Sequence, residues 1–277
     1  MSIFIRKQAY TGPVKGVVLD WAGTAVDFGS IGPAAVFVDV FAKSGVEVSV
    51  ADVRQFMGVA KKDHIRNICG LPSVIAQWQK QNDRSPDETD VDHIYAETEP
   101  MMVDTITRHA DLIPGLLETV ERLRQQGVKI GSSTGYTAPM MAALVPIARA
   151  QGYIPDAIVC ASDVPAGRPF PWMCFLNAIQ LQVYPLEAVV KIGDTISDIE
   201  AGLNAGMWTI GLTQSGNELG ISEKEVSQFS AQEMQAKTEP IADRYRDAGA
   251  HFVAAGIWEV LPLIEKINAR LARGEKP

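Results

Sequence analysis

Acidic residues follow two apolar segments of the chain at the point where each segment ends. Asp20 comes directly after the apolar residues 17–19. Asp194 follows a similar segment, and Asp198 lies four positions further on. An apolar run that ends in an acid and a small turn residue is typical of a parallel strand whose carboxyl end reaches a shared edge of a sheet. Two such strands can place three carboxylates around one hard cation and leave one oxygen free to attack phosphorus.

The spacing of Asp194 and Asp198 strengthens this interpretation. The residues around them predict a strand-to-helix junction, so both carboxylates should lie near the amino terminus of one helix, where the helix dipole stabilises negative charge. Taken alone, Asp20 could equally be a helix cap or a turn residue. The two acidic segments together favour a cation site that also binds a phosphoryl group.

Two further segments between these acids carry groups that bind phosphate. Residues 128–137 end in hydroxyl side chains and a glycine, and the Thr134 hydroxyl could bind phosphoryl oxygens together with the N–H groups after it. Arg168 supplies a cation that hardly ever loses its charge, and it could pair with Asp20 and with the phosphoryl group. By itself Thr134 would more often be a helix cap and Arg168 a surface charge.

The four segments in this order resemble the haloacid dehalogenase superfamily of Mg²⁺-dependent phosphoryl-transfer enzymes. The resemblance implies that Asp20 is the nucleophile and a Mg²⁺ ligand. It also implies that Asp194 is a ligand, and that Asp198 is either a ligand or a residue that orients the others. The family normally carries a second Asp two residues after the nucleophile. This chain has Ala22 there, whose backbone carbonyl would supply a further oxygen to the metal.

Ala22 also restricts the reaction. A phosphatase that acts on an ester must protonate a departing alkoxide, and the second Asp of the family does so as a general acid. A methyl group cannot donate a proton, so either the chain is a degenerate phosphatase or its leaving group is not an alkoxide. Cleavage of a phosphorus–carbon bond fits the second alternative. The carbanion that leaves needs an electron sink, which a lysine Schiff base with a carbonyl compound provides.

Lys61 is the candidate for that Schiff base. It lies three residues before His64 in a predicted helix, so the two side chains share a face and a proton could pass between them. Lys62 and Arg66 raise the positive potential, which we expect to lower the pKa of Lys61 and leave part of the amine neutral. The alternative is a solvated basic helix start beside an ordinary surface or core histidine.

With these residues in place, the sequence resembles the phosphonoacetaldehyde hydrolases (phosphonatases) over essentially its whole length. The most diagnostic parts are Ala22 and the Met-Gly-x-x-Lys stretch that ends at Lys61. The resemblance implies hydrolysis of phosphonoacetaldehyde to acetaldehyde and phosphate in the degradation of 2-aminoethylphosphonate. The reaction would pass through an imine on Lys61 and an aspartyl phosphate on Asp20. The resemblance further implies a group of residues that bind the substrate or assist proton transfer, namely Ala22, Met57, Gly58, His64, Gly135 and Tyr136.

Two other functions stay open. The first is a Mg²⁺-dependent phosphatase or phosphomutase of the same superfamily, which would act on a small phosphate ester despite Ala22 and would barely need Lys61. The second is a catalytically inactive binding or regulatory protein on the same fold. Intact Asp20, Arg168 and Asp194 argue against the second.

Alternating strands and helices from residue 115 onwards predict the elements that position these groups. Strand–helix units of this length indicate an α/β fold, a Rossmann-like parallel sheet core with helices on both faces. Residues 29–107 instead show helical periods without a good strand, so we expect an inserted all-helical cap (lid) domain there. The predicted core then comprises residues 1–28 and 108–277.

The composition excludes several classes of protein. The 277 residues carry a net charge of −8, which argues against nucleic-acid and membrane-surface partners, since both favour basic patches. No apolar run approaches the roughly 18 residues of a membrane span, and residues 1–11 lack the apolar region of a signal peptide. The three cysteines are odd in number and lack metal-ligand spacing, so we expect a cytoplasmic location.

The expected partners are a small phosphonate substrate and a second copy of the chain. The resemblance implies a homodimer that forms through the caps. An apolar face of the predicted cap could make that contact or could simply pack inside the cap. This face consists of Val36, Phe37, Val40 and Phe41.

Overall fold

The computed structural model describes residues 8–277, and within this range the chain forms six β-strands and twelve α-helices. The strands are β1 Gly16–Leu19, β2 Lys129–Thr134, β3 Ala157–Cys160, β4 Val189–Gly193, β5 Trp208–Leu212 and β6 Phe252–Ala254. They form one parallel sheet with the order β3-β2-β1-β4-β5-β6. The predicted Rossmann-like parallel sheet is therefore confirmed.

β1 lies in the middle of the sheet and is buried on both faces. Val17 and Leu19 pack into one apolar cluster, and Val18 packs into another on the opposite face. A parallel strand that is covered on both sides needs such a continuous apolar run. Leu19 pairs with Ser132 of β2 and with Ile192 of β4. The chain after β1 therefore emerges where the strand order reverses, which is the usual ligand position in such sheets.

Helices cover both faces of this sheet. The core helices are α6 Leu116–Gln125, α7 Ala138–Ala150, α8 Trp172–Leu181, α9 Ile196–Asn204, α10 Glu223–Val226, α11 Ala231–Asp247 and α12 Val260–Ala272. Residues of α6, α7 and α12 share the apolar cluster of Val17, whereas residues of α8 and α9 share that of Val18. α11 packs on α9 and β6, so the polar segment 222–247 covers the β6 side of the sheet.

Five helices stand between β1 and α6, and we call them the helical insertion. They are α1 Ile31–Lys43, α2 Val50–Arg54, α3 Lys61–Cys69, α4 Pro72–Asn82 and α5 Glu88–Arg108. α5 packs on α1 and α3 and also contacts α7 of the core. The insertion is helical as the sequence predicts, whereas the domain boundaries stay a prediction. Residues 1–7 of the predicted core, which also belong to the segment predicted to lack a signal peptide, lie outside the described residues.

The apolar face of α1 packs inside the insertion. Val36, Phe37, Val40 and Phe41 are at most 2% exposed and belong to the same cluster as Ile65 of α3. These residues are buried by their own chain, so the suggestion that they form a dimer contact is wrong and the alternative is correct. No helix between residues 8 and 277 is long and apolar enough to cross a membrane.

Candidate active site

A pocket joins the carboxyl edge of the sheet to the helical insertion. Its lining residues are Asp20, Ala22, Ser30, Pro33, Met57, Gly58, Lys61, Thr134, Gly135, Tyr136, Arg168, Asp194 and Thr195. All the residues predicted for the site line this pocket except His64 and Asp198. The structure adds Ser30, Pro33 and Thr195 to the predicted set.

Asp20 extends β1 into this pocket. Its backbone N–H donates to the carbonyl of Ile192 on β4 at 3.0 Å, so the sheet fixes the position of its main chain. Its Oδ1 accepts a hydrogen bond of 2.5 Å from Nη2 of Arg168. The carboxylate is buried and oriented by a cation, which suits a nucleophile that must meet phosphorus in a fixed geometry.

Three carboxylates meet at the sheet edge, as the sequence predicts. Asp20, Asp194 and Asp198 are buried, and one oxygen of each lies within 4.8 Å of the others. Asp194 accepts hydrogen bonds from the Thr24 hydroxyl at 3.2 Å and from the Asn217 N–H at 2.8 Å. Burial, followed by the charges of Asp20 and Asp198, raises the pKa of Asp194 well above its ordinary value. A divalent cation would offset this repulsion, and Mg²⁺ prefers carboxylate oxygens, so the residues fit Mg²⁺.

Asp198 is surrounded by donors. Its Oδ1 accepts from Nζ of Lys191 at 2.5 Å and lies 3.1 Å from Nη1 of Arg168. Its Oδ2 accepts from the Thr195 hydroxyl at 2.6 Å. Burial alone would raise the pKa of Asp198, but Arg168 and Lys191 hold it below its ordinary value. Asp198 differs from Asp194 in that two protein cations, Arg168 and Lys191, already balance its charge, whereas the choice between a ligand and an orienting residue stays a prediction.

Arg168 connects the acids to both sides of the pocket. Besides its contacts with Asp20 and Asp198, it donates to the carbonyl of Ser133 at 2.7 Å and to that of Gly58 in the helical insertion at 3.3 Å. Burial disfavours the cation, but the charges of Asp198 and Asp20 outweigh burial, and the pKa of Arg168 is raised. The predicted pairing of Arg168 with Asp20 is confirmed.

The segment after β2 brings the core backbone against the helical insertion. The Thr134 hydroxyl accepts a hydrogen bond from the Tyr136 N–H at 3.1 Å. A Cβ on Gly135 would lie 2.5 Å from the carbonyl oxygen of Val59. Only a glycine permits this approach, so Gly135 lets the two halves of the pocket close on each other.

The loop between α2 and α3 makes the matching approach from the other side. The hydroxyl of Ser197 donates to the Met57 carbonyl at 3.5 Å. Gly58 has a φ of +91°, and a Cβ there would collide with the hydroxyls of Thr195 and Ser197. Both the backbone conformation and the available space therefore require a glycine after Met57.

Lys61 begins α3 and lines the pocket. It is 4% exposed, and its Nζ lies 5.1 Å from the ring centroid of Tyr136 and 5.4 Å from that of Phe37. Burial lowers the pKa of Lys61 to about 8, while Asp20 opposes this shift and Arg168 adds to it. The predicted direction of the shift is confirmed.

The cause predicted for this shift is wrong. Lys62 pairs with Asp92 and Arg66 pairs with Glu88 at the protein surface, and neither cation acts on Lys61. Removal from water lowers the pKa instead, because a buried amine loses the hydration that stabilises its charged form. Burial of this kind depends on tertiary packing, which a local charge pattern does not report.

His64 is buried but is not part of the pocket lining. Its Nε2 lies 2.8 Å from the Val53 carbonyl oxygen, and its ring centroid lies 4.0 Å from that of Phe37. Burial, followed by the charge of Lys61, lowers the pKa of His64 to about 3, so the ring is neutral. Nε2 then donates to the carbonyl and Nδ1 is left as an acceptor, with no partner in the described part of the chain. The structure thus departs from the prediction that His64 lines the site.

Sequence reasoning missed several residues that support the acids. Lys191 lies inside the apolar strand β4 and pairs with Asp198. A single charged residue in an apolar run is a sequence signal from which Lys191 could have been predicted. Thr195 accepts from the backbone N–H of Asp198 at the start of α9. Tyr245 of α11 donates to the Asp194 carbonyl at 2.5 Å, a contact across 51 positions that has no local signal.

Comparison with known proteins agrees with this geometry. The family model described as haloacid dehalogenase-like hydrolase matches residues 14–206. Two proteins from Syntrophobacter fumaroxidans are 55% and 54% identical over 277 residues, with 100% of both chains covered. The first is named phosphonoacetaldehyde hydrolase-like protein and the second phosphonoacetaldehyde hydrolase. The crystal structure of a phosphonoacetaldehyde hydrolase-like protein from Oleispira antarctica is 38% identical, covers 100% of both chains and has a TM-score of 0.96.

The two relatives and the solved structure match the whole chain, including both the sheet and the helical insertion. The chain therefore belongs to the haloacid dehalogenase-like hydrolases and, within them, to the phosphonoacetaldehyde hydrolase family.

Proposed function

We propose that the chain hydrolyses the phosphorus–carbon bond of phosphonoacetaldehyde to acetaldehyde and phosphate. The observation that carries the proposal is the position of Lys61, a buried amine that lines the same pocket as Asp20. Ala22 in the same lining offers no proton to an ester leaving group. Relatives that are 54% and 50% identical and bear the name of this activity support the proposal.

The amine of Lys61 opens the proposed reaction. Its neutral form adds to the aldehyde carbon, and loss of water leaves a protonated imine. Burial raises the pKa of Tyr136 well above its ordinary value, so its phenol keeps the proton and can donate to the aldehyde oxygen. Met57, Gly58 and Gly135 shape the space around the imine. Nε2 of His64 is engaged by the Val53 carbonyl, so any part of His64 in the proton transfers runs through Nδ1.

Asp20 then attacks phosphorus in line with the bond to carbon. The electrons of that bond move into the protonated imine and form an enamine on Lys61. Arg168 and Thr134 hold the phosphoryl oxygens as charge develops on them. The enamine takes up a proton on carbon, and water releases acetaldehyde and the free amine. A second water hydrolyses the aspartyl phosphate on Asp20.

The acids of the sheet edge form the proposed metal site. Asp20, Asp194 and the backbone carbonyl of Ala22 are the proposed Mg²⁺ ligands, and Asp198 orients them through Arg168 and the residues around it. When bound, Mg²⁺ neutralises negative charge on the phosphoryl group. The cluster of buried carboxylates supports this assignment.

An assay of both products tests the reaction. Phosphonoacetaldehyde should yield acetaldehyde and phosphate in equal amounts, and a chelator should abolish both until Mg²⁺ is restored. The rival function is a phosphatase or phosphomutase that acts on a small phosphate ester. Faster hydrolysis of phosphate monoesters than of phosphonoacetaldehyde, unchanged in Lys61→Arg, would establish the rival.

Reductive trapping tests the role of Lys61 separately. Borohydride added with the substrate should fix a covalent adduct on Lys61, detected by peptide mass spectrometry. Lys61→Arg should abolish the adduct, while the matched variant Lys62→Arg should retain it because Lys62 pairs with Asp92 at the surface. Undiminished adduct in Lys61→Arg would rule out this lysine.

The wider setting of the enzyme is also a proposal. We propose a core of residues 1–28 and 108–277 and a cap of residues 29–107, a cytoplasmic location, and a part in 2-aminoethylphosphonate degradation. The family resemblance supports a homodimer through the caps, formed by a surface other than the buried face of α1. Sedimentation equilibrium tests the dimer, and a monomer at micromolar concentration would exclude it.

A further inference from the structure

Arg54, the last residue of α2, ties the helical insertion to two other segments. Its guanidinium donates to the carbonyls of Gly29 at 3.0 Å, Asn217 at 3.1 Å and Gly220 at 3.2 Å. It also donates to the side-chain oxygen of Asn217 at 3.0 Å, and the Asn217 amide donates back to the Arg54 carbonyl at 3.1 Å. A planar guanidinium offers five donors in a fixed fork to such spread-out oxygens, whereas an ammonium group offers three from a single nitrogen.

The loop that receives Arg54 also holds a carboxylate of the acidic cluster. The backbone N–H of Asn217 donates to Oδ2 of Asp194 at 2.8 Å. A Cβ on Gly216 would collide with the Asp194 side chain, and the Ser215 hydroxyl donates to the carbonyl of Gly23 at 2.8 Å. Asn217 therefore contacts the helical insertion on one side and Asp194 on the other.

Arg54 also stands just before the segment that brings the insertion to the pocket. Residues 55–60 connect it to Lys61, and within them the Gly58 carbonyl accepts from Arg168 at 3.3 Å. The insertion is thus held to the core immediately before the loop that precedes Lys61 and again within that loop. A movement that withdraws Lys61 from the pocket must break these hydrogen bonds.

We propose that Arg54 and Asn217 form a latch that couples closure of the helical insertion to the orientation of Asp194 as a metal ligand. With the latch formed, the Asn217 N–H fixes the Asp194 carboxylate while Lys61 occupies the pocket. With the latch broken, the loop after β5 loses its partner in the insertion, and Asp194 loses a fixed donor. Arg54 is a positioning residue, because it acts through Asn217 and lies outside the pocket lining.

Coupling of this kind is reciprocal. Whatever favours the closed insertion tightens Mg²⁺ binding, and Mg²⁺ favours closure by the same factor. Inorganic phosphate is the probe, because Arg168, proposed to hold the phosphoryl group, also donates to the Gly58 carbonyl of the insertion. The latch rests on the proposed metal site and not on the phosphorus–carbon chemistry, so it can be tested without the substrate.

Calorimetric titration of Mg²⁺ in the presence and absence of phosphate measures how strongly closure of the insertion is coupled to Mg²⁺ binding. We expect Arg54→Met, which keeps the length of the side chain but removes its donors, to weaken Mg²⁺ binding by about 10-fold, the lower end of the cost of losing a direct partner of a metal ligand, because Arg54 acts through Asn217. Phosphate should tighten Mg²⁺ binding in the unaltered protein and much less in Arg54→Met. Hydrogen exchange of residues 55–60 should become faster in the same variant.

Three further variants separate the latch from a general effect on folding. Asn217→Ala removes two of the hydrogen bonds from the core side and should weaken Mg²⁺ binding as well. The double variant should lose less than the product of the two single losses, because both act on one contact. Arg84→Met is the matched control, since Arg84 forms an exposed ion pair with Asp90 within the insertion.

The outcomes distinguish the latch from the proposed metal site. Absence of Mg²⁺ binding by the unaltered protein overturns both. Tight Mg²⁺ binding that Arg54→Met leaves unchanged overturns the latch alone, as does a double variant whose losses simply multiply. Full rescue by Arg54→Lys would show that charge suffices and would also overturn it. Should Arg54→Met fail to fold, Asn217→Ala carries the same test.

Discussion

The two sides of the pocket carry their charges in different ways. On the core side the charges are buried and paired, with Arg168 on Asp20 and Lys191 on Asp198. In the helical insertion, several cations form exposed ion pairs at the surface instead. Lys61 is the buried cation that the insertion brings to the site, and its Nζ lies over aromatic rings.

This difference shows how the free-energy cost of burying a charge can have opposite outcomes in the two parts of the pocket. Burial penalises every charge in the pocket. In the core, opposite charges outweigh the penalty, so Arg168 stays a cation and Asp198 stays an anion, which is what phosphorus chemistry needs. At Lys61 burial wins over the attraction of Asp20, so part of the amine is neutral and can attack a carbonyl carbon. The core would therefore act on phosphorus and the insertion on carbon.

The largest expected effect separates these two roles directly. Asp20→Asn removes the proposed nucleophile, and we expect acetaldehyde release to fall by about 10⁴-fold or more. The imine should still form, because Lys61 and the aldehyde are unchanged. Borohydride trapping on Lys61 should therefore persist in Asp20→Asn, as measured by mass spectrometry.

A matched control keeps that comparison clear. Lys61→Arg should lose both acetaldehyde release and trapping. If Asp20→Asn abolished trapping while remaining folded, the two sides of the pocket would not act as separate units on phosphorus and on carbon.

The second prediction compares a buried ion pair of the core with an exposed one of the insertion. Lys191→Met leaves buried Asp198 with Arg168 as its remaining cation, and we expect the free energy of unfolding to fall by about 3 kcal/mol, the lower end for a broken buried pair. Lys62→Met breaks an exposed pair with Asp92 and should cost less than about 1 kcal/mol. Denaturant unfolding followed by circular dichroism measures both. Equal losses would contradict the electrostatic difference between core and insertion.

The same difference explains how much could be predicted from the sequence. Asp20 and Asp194 were predictable because each follows an apolar run, and adjacent parallel strands must bring such ends to one edge. Lys61 was found through Ala22, since the absent general acid required another way to stabilise the leaving group. These inferences needed only chain order and residue chemistry.

The remaining features depend on contacts between distant positions. Asn217 and Arg54 meet across 163 positions, and neither has a local pattern that marks it. His64 shares a helix with Lys61, yet its partner is the Val53 carbonyl, and the pKa of Lys61 responds to burial rather than to its basic neighbours. Helical spacing predicts on which face of a helix a residue lies, but it does not predict which parts of the protein pack against that face.

The third prediction places an acid where the core lacks one. Ala22→Asp restores a carboxyl group to the pocket, and we expect hydrolysis of phosphate monoesters to rise by about 10²-fold, the lower end of what a general acid supplies. Hydrolysis of phosphonoacetaldehyde should fall at the same time, because the larger and charged side chain occupies the pocket beside Asp20. Steady-state kinetics with a phosphate monoester and with phosphonoacetaldehyde measure the gain and the loss.

Ala22→Ser is the matched control for this change. It adds a shorter polar side chain without an effective acid, so monoester hydrolysis should stay near the level of the unaltered protein. A gain with Ser as large as that with Asp would mean that Ala22 does not determine the choice of leaving group.

The smallest expected effect concerns the influence of the core on the amine of the insertion. With the pKa of Lys61 lowered to about 8, the neutral fraction should rise about tenfold per pH unit below that value and level off above it. The rate of borohydride trapping at low substrate concentration should follow this curve. Asp20 raises the pKa of Lys61, so Asp20→Asn should move the midpoint below 8.

The direction of this shift in the trapping midpoint is informative, because removal of a core cation should shift the midpoint the other way. Arg168 lowers the pKa of Lys61, so Arg168→Met should move the midpoint of trapping above 8. Each variant removes one core charge and leaves the insertion intact. If both midpoints stayed at the value of the unaltered protein, burial alone would set the pKa of Lys61, and the insertion would be electrostatically independent of the core. Shifts of opposite sign would instead show that the charges that hold phosphorus also tune the amine that activates carbon.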